Sequence, residues 1–260
     1  MTALFEASPG PSSPLWEACG GAAPIRPWAS DVVRVVESQE QVATMAIVDT
    51  LAEQAQLEEL IEATKPPAPE GAGRLHYLLM SPFRYPPLRH GSRFGTRHEP
   101  SLFYASLTVD TTLAECAYYR FVFLAGMDRP FSQTLRSLHT TFVVGFSAER
   151  AVLLDTPPWT RDRAAISSPT DYTVSQALGA AMRAADVAAF RYRSARDPAG
   201  GANAGVFSPA SLVGPPRELR SWECLTDPDR VAFLEAGTRT WFSFDRTDFL
   251  MAGELPTPAL

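Results

Sequence analysis

The spacing of apolar residues changes character twice along the chain. Residues 1–28 carry Pro9, Pro11, Pro14, Pro24 and Pro27 among Gly and Ser, which reads as an extended or disordered leader. Ser30 or Asp31 is placed to cap the element that follows. From Gln39 to Thr64 the chain is rich in Ala, Leu, Glu and Gln without Gly or Pro, which predicts helix. Its apolar positions, including Ile47, Leu51, Leu57 and Ile61, do not hold one 3.6-residue stripe. Either a break near Gln54 or burial on two faces is expected. Lys65 falls in the last turn, and Pro66 and Pro67 stop the helix.

Beyond residue 70 the segments shorten. His76–Met80 and Leu102–Ser106 are short apolar runs, and Thr111–Phe123 places Leu113, Ala117 and Phe121 at helical spacing. Thr141–Phe146 alternates, with Phe142, Val144 and Phe146 on one side, which predicts a strand. Ala151–Leu154 is a second strand candidate. Tyr172–Ala185 reads as helix with Thr170 or Asp171 as cap. Val187–Tyr192, Gly205–Phe207, Leu219–Leu225, Val231–Glu235 and Thr240–Phe244 read as strands. Helices and strands mix without regular alternation, so an α+β fold is expected rather than a doubly wound sheet. The division predicted is a proline-rich leader and helical extension over 1–70, then the main domain over 71–260. A chain of 260 residues can bury a substantial core.

The balance of 23 basic and 29 acidic residues gives a net charge of −6, which argues against direct nucleic-acid binding. Of the basic residues only Lys65 is a lysine. Arginine suits forked contacts to phosphate, although a GC-rich genome gives the same composition. Cys19, Cys116 and Cys224 are far apart and odd in number, which argues against a disulfide framework and fits a reducing cytoplasm. No apolar run is long enough to span a membrane. The N-terminus lacks the basic start and apolar core of a signal peptide.

The common chemical motifs are missing: no P-loop, no G-x-G-x-x-G, no H-E-x-x-H, no G-x-S-x-G. His76, His90, His98 and His139 do not fall at metal-ligand spacing, so no metal is expected.

The informative segment is Ser81–Arg120. Arg84, Arg89, Arg93 and Arg97 are separated by prolines and glycines and so do not line a helix face. They can converge on one anion such as a pyrophosphate, or pair with the acidic surplus at the surface. Tyr85, Phe94 and Tyr104 offer rings that stack on a base or nicotinamide, or that fill a core. Glu115 sits in TTLAECAYY, where a carboxylate is either partly desolvated and partnered or points out of the helix. In YRSARDPAGGANAGVFS, Ser194 follows a predicted strand and precedes a glycine-rich turn. It can bond a sugar or phosphate, or cap the turn.

FRYPPLRHGSRF, FYAS, TTLAE and YRSARDP with Asn203, in that order, resemble the RES domain, named for an arginine, a glutamate and a serine. The resemblance is strong over about residues 76–125 and 186–209. It implies a fold similar to ADP-ribosyltransferases, with mixed and antiparallel sheets and flanking helices. It also implies the toxin half of a bacterial toxin–antitoxin pair that consumes NAD+ by hydrolysis or phosphorolysis, some members ADP-ribosylating a protein. On this resemblance Arg84, Glu115 and Ser194 are the catalytic candidates, and Tyr85, Arg93, Tyr104 and Asn203 the substrate-binding ones. Ser208 is the alternative signature serine; Arg193 stands where many relatives have proline.

The mechanism implied has Glu115 stabilising oxocarbenium character as the nicotinamide–ribose bond breaks. Arg84 and Arg93 hold phosphate oxygens, Tyr104 orients the nicotinamide, and Ser194 positions ribose or phosphate. NAD+ is then a substrate, with inorganic phosphate as a candidate co-substrate, and no resident cofactor is expected. The partner implied is a helix-turn-helix antitoxin, and residues 1–70 are a packing helix or a dimerisation element. The competing readings are a protein ADP-ribosyltransferase and a non-catalytic NAD-binding or interaction module.

Overall fold

The computed structural model describes residues 13–38, 48–67, 71–128 and 133–257. The part of the expected leader before Ser13 and residues 39–47 of the helix predicted from Gln39 lie outside them. Within them the leader is ordered. Pro14–Ala18 forms a short helix, α1, whose Ser13 cap accepts a hydrogen bond from the Trp16 amide at 3.3 Å. Arg26–Glu37 forms strand β1, so Ser30 and Asp31 lie inside a strand and cap nothing. The alternation Val33, Val35 against Val32, Arg34 has the period of a strand, which Pro24 before it and Pro27 at its start obscured.

Helix α2 spans Leu51–Thr64 and runs unbroken through Gln54. Its start is set by a capping box, in which Thr50 Oγ1 accepts from the Glu53 amide and the Glu53 carboxylate accepts from the Thr50 amide. Leu51 and Leu60 are exposed, so the missing stripe reflects a surface helix and not burial on two faces. Next come α3 (Tyr77–Arg84), β2 (Phe103–Ser106) and α4 (Val109–Ala125). The two strands expected at 141–146 and 151–154 are parts of one long strand, β3 (Leu135–Leu153). A short helix α5 (Arg163–Ile166) and helix α6 (Thr173–Ala184) follow. Asp171 sits just outside α6 and accepts from the Thr173 amide at 2.8 Å. The chain ends in β4 (Ala189–Arg193), β5 (Ala202–Val206), β6 (Leu212–Thr226), β7 (Arg230–Glu235) and β8 (Trp241–Asp245).

These strands form an eight-stranded mixed sheet in the order β1-β2-β5-β4-β3-β6-β7-β8, and β1 also pairs with β3. The fold is α+β, with helices flanking the sheet. β1 lies before residue 70 yet pairs with β3 from Arg26↔Ala151 to Glu37↔His139. It meets β2 at Val33↔Ser106, so β1, β2, β5, β4 and β3 close on themselves. β3 and β4 are parallel, and the connection between them carries α5 and α6.

Side chains on opposite faces of the strands feed separate cores. Phe103, Ala105, Phe142, Val144 and Ala204 pack with Leu79 and Phe83 of α3. Phe190 and Tyr192 pack with Phe94, Leu178 and Met182 on the α6 side. Leu113, Ala117 and Phe121 of α4 pack on Trp222, Cys224 and Phe233. Gly179 brings α6 against the loop before β2, since a Cβ there would lie 2.2 Å from the Phe94 carbonyl oxygen. The three cysteines are free. Among the described residues no helix is long and apolar enough to cross a membrane.

Candidate active site

The α6-side face of β2, β5 and β4 carries Tyr104 and Ser106, Asn203, and Tyr192 followed by Ser194, by the two-residue period of each strand. Ser106 and Asn203 are register partners, as are Asn203 and Tyr192. Glu115, in the second turn of α4, reaches the end of this face. α4 begins at Thr108, whose hydroxyl accepts from the Thr111 amide at 3.2 Å. Its Leu113, Ala114, Ala117, Tyr118 and Phe121 are all buried. A helix enclosed on several sides leaves little polar face for Glu115, which turns to the strand ends.

There its Oε1 accepts from Ser194 Oγ at 2.6 Å and from Asn203 Nδ2 at 2.7 Å. The Asn203 amide is oriented by Ser106, whose hydroxyl donates to Oδ1 at 2.7 Å. Ser194 Oγ accepts from the Arg196 amide at 3.0 Å and the Asp197 amide at 2.8 Å, which directs its own proton to Glu115. Among the described residues none bonds to Oε2. Ser194 and Asn203 are 5% and 3% exposed, whereas Glu115 is only partly buried, so the two donors are shielded from water, which strengthens their hydrogen bonds, while the carboxylate keeps an open side.

Beneath it, Tyr104 acts as a strut. Its hydroxyl accepts from the Phe94 amide at 2.9 Å and lies 3.0 Å from Ser92 Oγ. Burial raises its pKa to about 12, so it remains a phenol. Burial likewise pushes Tyr192 well above its ordinary value, with Glu115 adding to the effect. The loop held by Tyr104 presents Arg93, which is buried, donates to the Ser168 carbonyl and lies 4.6 Å from the centre of the Tyr172 ring. Among the described residues Arg93 has no carboxylate partner. A buried guanidinium without a counter-ion suits an anion supplied from outside.

The four arginines expected to converge do not. Arg89 and Arg97 are exposed. Arg84, at the end of α3, donates from Nη1 to Glu62 of α2 at 2.7 Å and from Nε to the Pro66 carbonyl. It lines a cleft of about 1510 Å³ with Tyr85, Lys65 and Arg34, which also reaches Ser92 and Tyr104. Arg84 and Tyr85 make no hydrogen bond to Glu115, Ser194 or Asn203 among the described residues. Lys65 and Arg84 together hold the Glu62 carboxyl below its ordinary pKa. Tyr104 thus supports the loop rather than lying free as a stacking surface, and Phe94 is wholly buried against Phe190 and Tyr192. Ser208 precedes the short helical turn Pro209–Ser211 and makes no bond to Glu115.

Three residues of the cluster were not singled out from the sequence: Ser106 and Arg196, although they lie in FYAS and YRSARDP, and Tyr172. Ser106 is brought in by strand register alone. Arg196 is buried, donates to the Pro256 and Pro169 carbonyls and stacks on the Tyr118 ring at 3.9 Å. Its partners are remote in sequence. Thr111 and Asp197 were legible in part: Thr111 lies four residues before Glu115 on one helix face, and Asp197 stands in an Asp-Pro turn.

The profile of the RES domain matches residues 68–227, more than half of the chain. The chain belongs to the RES domain family. Among solved structures it is similar to the crystal structure of the M. tuberculosis MbcT–MbcA toxin–antitoxin complex. The identity is 14% over 78% of this chain and 87% of that chain, with a TM-score of 0.42. The family rests on the residues that the profile matches. No curated protein matches.

Proposed function

We propose that this RES-domain protein consumes NAD+ by cleaving the nicotinamide–ribose bond, and acts as a toxin held in check by a cognate helix-turn-helix antitoxin. The observation that carries the catalytic part is the state of Glu115. Its Oε1 is fixed by Ser194 and Asn203, and no described residue bonds to Oε2. A carboxylate held in one orientation with an oxygen to spare is suited to positive charge that develops at the anomeric carbon. Both fixed donors are neutral, so Glu115 keeps its charge for the substrate. Nicotinamide is already a good leaving group, so orientation and electrostatics account for the rate.

Arg93 takes a phosphate oxygen, either of the dinucleotide or of an attacking phosphate, because its guanidinium is buried with no carboxylate partner among the described residues. Arg84 takes a second phosphate oxygen only after exchanging Glu62 for it. The antitoxin partner follows from the family alone.

The test is to incubate the purified protein, free of any partner, with NAD+ in the presence and absence of phosphate. Free nicotinamide with ADP-ribose is the outcome for hydrolysis, and a phosphate-dependent phosphorylated ADP-ribose is the outcome for phosphorolysis. Folded protein that releases no nicotinamide overturns the reading.

A further inference from the structure

Asp197 has no part in the chemistry set out above, yet it joins both halves of the Glu115–Ser194 pair. Its Oδ2 accepts from Thr111 Oγ1 at 2.9 Å and from the Gly201 amide at 3.0 Å, and its Oδ1 accepts from the Ala199 amide at 2.9 Å. Its own amide donates to Ser194 Oγ, and the Ser194 amide donates to the Gly201 carbonyl at 2.7 Å. Thr111 stands one helical turn before Glu115, on the same face of α4. A carboxylate on the loop after β4 is therefore pinned to the helix that carries Glu115, while the loop's backbone fixes the serine that Glu115 receives. The fit is tight. A Cβ on Gly201 would lie 1.9 Å from Thr111 Oγ1 and 2.6 Å from Asp197 Oδ2.

We propose that Asp197 is a positioning residue that sets the distance and direction of the Ser194–Glu115 hydrogen bond by tying the Ser194 loop to Thr111. It touches no reacting atom. Its effect passes through Ser194, whose proton points at Glu115 only while the Arg196 and Asp197 amides occupy the other side of Oγ. The inference rests on the reading of Glu115 as the group that stabilises the ribosyl cation.

The experiment compares Asp197→Ala in the wild-type and Ser194→Ala backgrounds, with nicotinamide release as readout. In the wild-type background kcat falls about tenfold or more, the scale of a lost hydrogen bond to a charged group, while KM for NAD+ stays within about twofold. In the Ser194→Ala background the same change costs nothing further, to within about twofold. An equal loss in both backgrounds, or a change confined to KM, overturns the proposal. Thr111→Val reproduces the loss and Thr111→Ser restores it, which keeps the test open if Asp197→Ala does not fold. Should the wild-type protein release no nicotinamide, the functional reading fails by itself. The clamp is then tested by amide exchange at Arg196, which accelerates in Asp197→Ala and Thr111→Val. Unchanged exchange there overturns it.

Discussion

Glu115 and Arg84 come from the same motif-bearing segment, yet the molecule treats them differently. Glu115 is met by neutral donors from β5 and from the turn after β4, themselves oriented by Ser106 and by backbone amides. Each group in that network has one arrangement, set by strands that pair in register. Arg84 is met by a carboxylate from α2, with Glu62 55% exposed and Arg84 only 12%. α2 precedes the residues that match the RES domain. The comparison separates a preorganised group from an occupied one. Glu115 needs no rearrangement to meet a developing cation, whereas Arg84 gives up an ion pair before it holds a phosphate. Ion pairs with an exposed partner contribute little to stability, so that exchange is inexpensive.

The largest expected effect breaks the preorganised side. Glu115→Gln keeps the size and the contacts to Ser194 and Asn203 but removes the charge. Nicotinamide release falls by about 10²–10³-fold or more, the scale of a lost electrostatic stabiliser, with an unchanged thermal unfolding transition. Wild-type turnover in this variant rejects the role given to Glu115. Ser194→Ala comes next. It removes the donor at 2.6 Å and lowers kcat by about 10–100-fold, because Glu115 remains but is no longer held from both sides.

On the other side, Arg84→Ala raises KM for NAD+ by roughly tenfold, as expected for one charged hydrogen bond, and changes kcat less. An Arg84→Ala variant with unaltered KM shows that the α2 cleft takes no part in substrate binding, and so sharpens the division between the two regions.

The smallest effect concerns stability and lies away from both. Burial lowers the pKa of His139 from its ordinary 6.5, so the unfolded chain takes up the proton more readily than the folded one. Its contribution is complete above about 6.5 and is lost as pH falls from there through the lower pKa of the folded state. Urea unfolding midpoints at pH 8 and pH 5 differ less in His139→Gln than in the wild type.

Much of this protein was legible in its residues. α4 announced itself through Leu113, Ala117 and Phe121, and Phe142, Val144 and Phe146 gave the buried face of β3. TTLAE and YRSARDP marked Glu115 and Ser194, which the fold brings within hydrogen-bond distance. The misreadings have specific physical causes. Pro24 and Pro27 made the start of β1 look like a leader, and its place in the sheet depends on β3, more than a hundred residues away. The capping box at Thr50 settled where α2 begins, and packing, not propensity, decided that it lies at the surface.

The arginines show the limit most clearly. Arg84, Arg89, Arg93 and Arg97 are equivalent in a local reading, and only Arg93 is buried beside the Glu115 face. What separates them is whether a loop is held by Tyr104 or faces α2. The sequence by itself determined the helix and strand periods, the absence of metal-ligand and nucleotide-loop motifs, and the family, because these depend on neighbours along the chain. Only the tertiary structure decided which hydroxyl faces Glu115, which of the four arginines is buried beside it, and that Asp197 bridges to Thr111. Those relations are set by strand register and helix packing across the sheet, where partners are tens of residues apart and no local pattern records their distance.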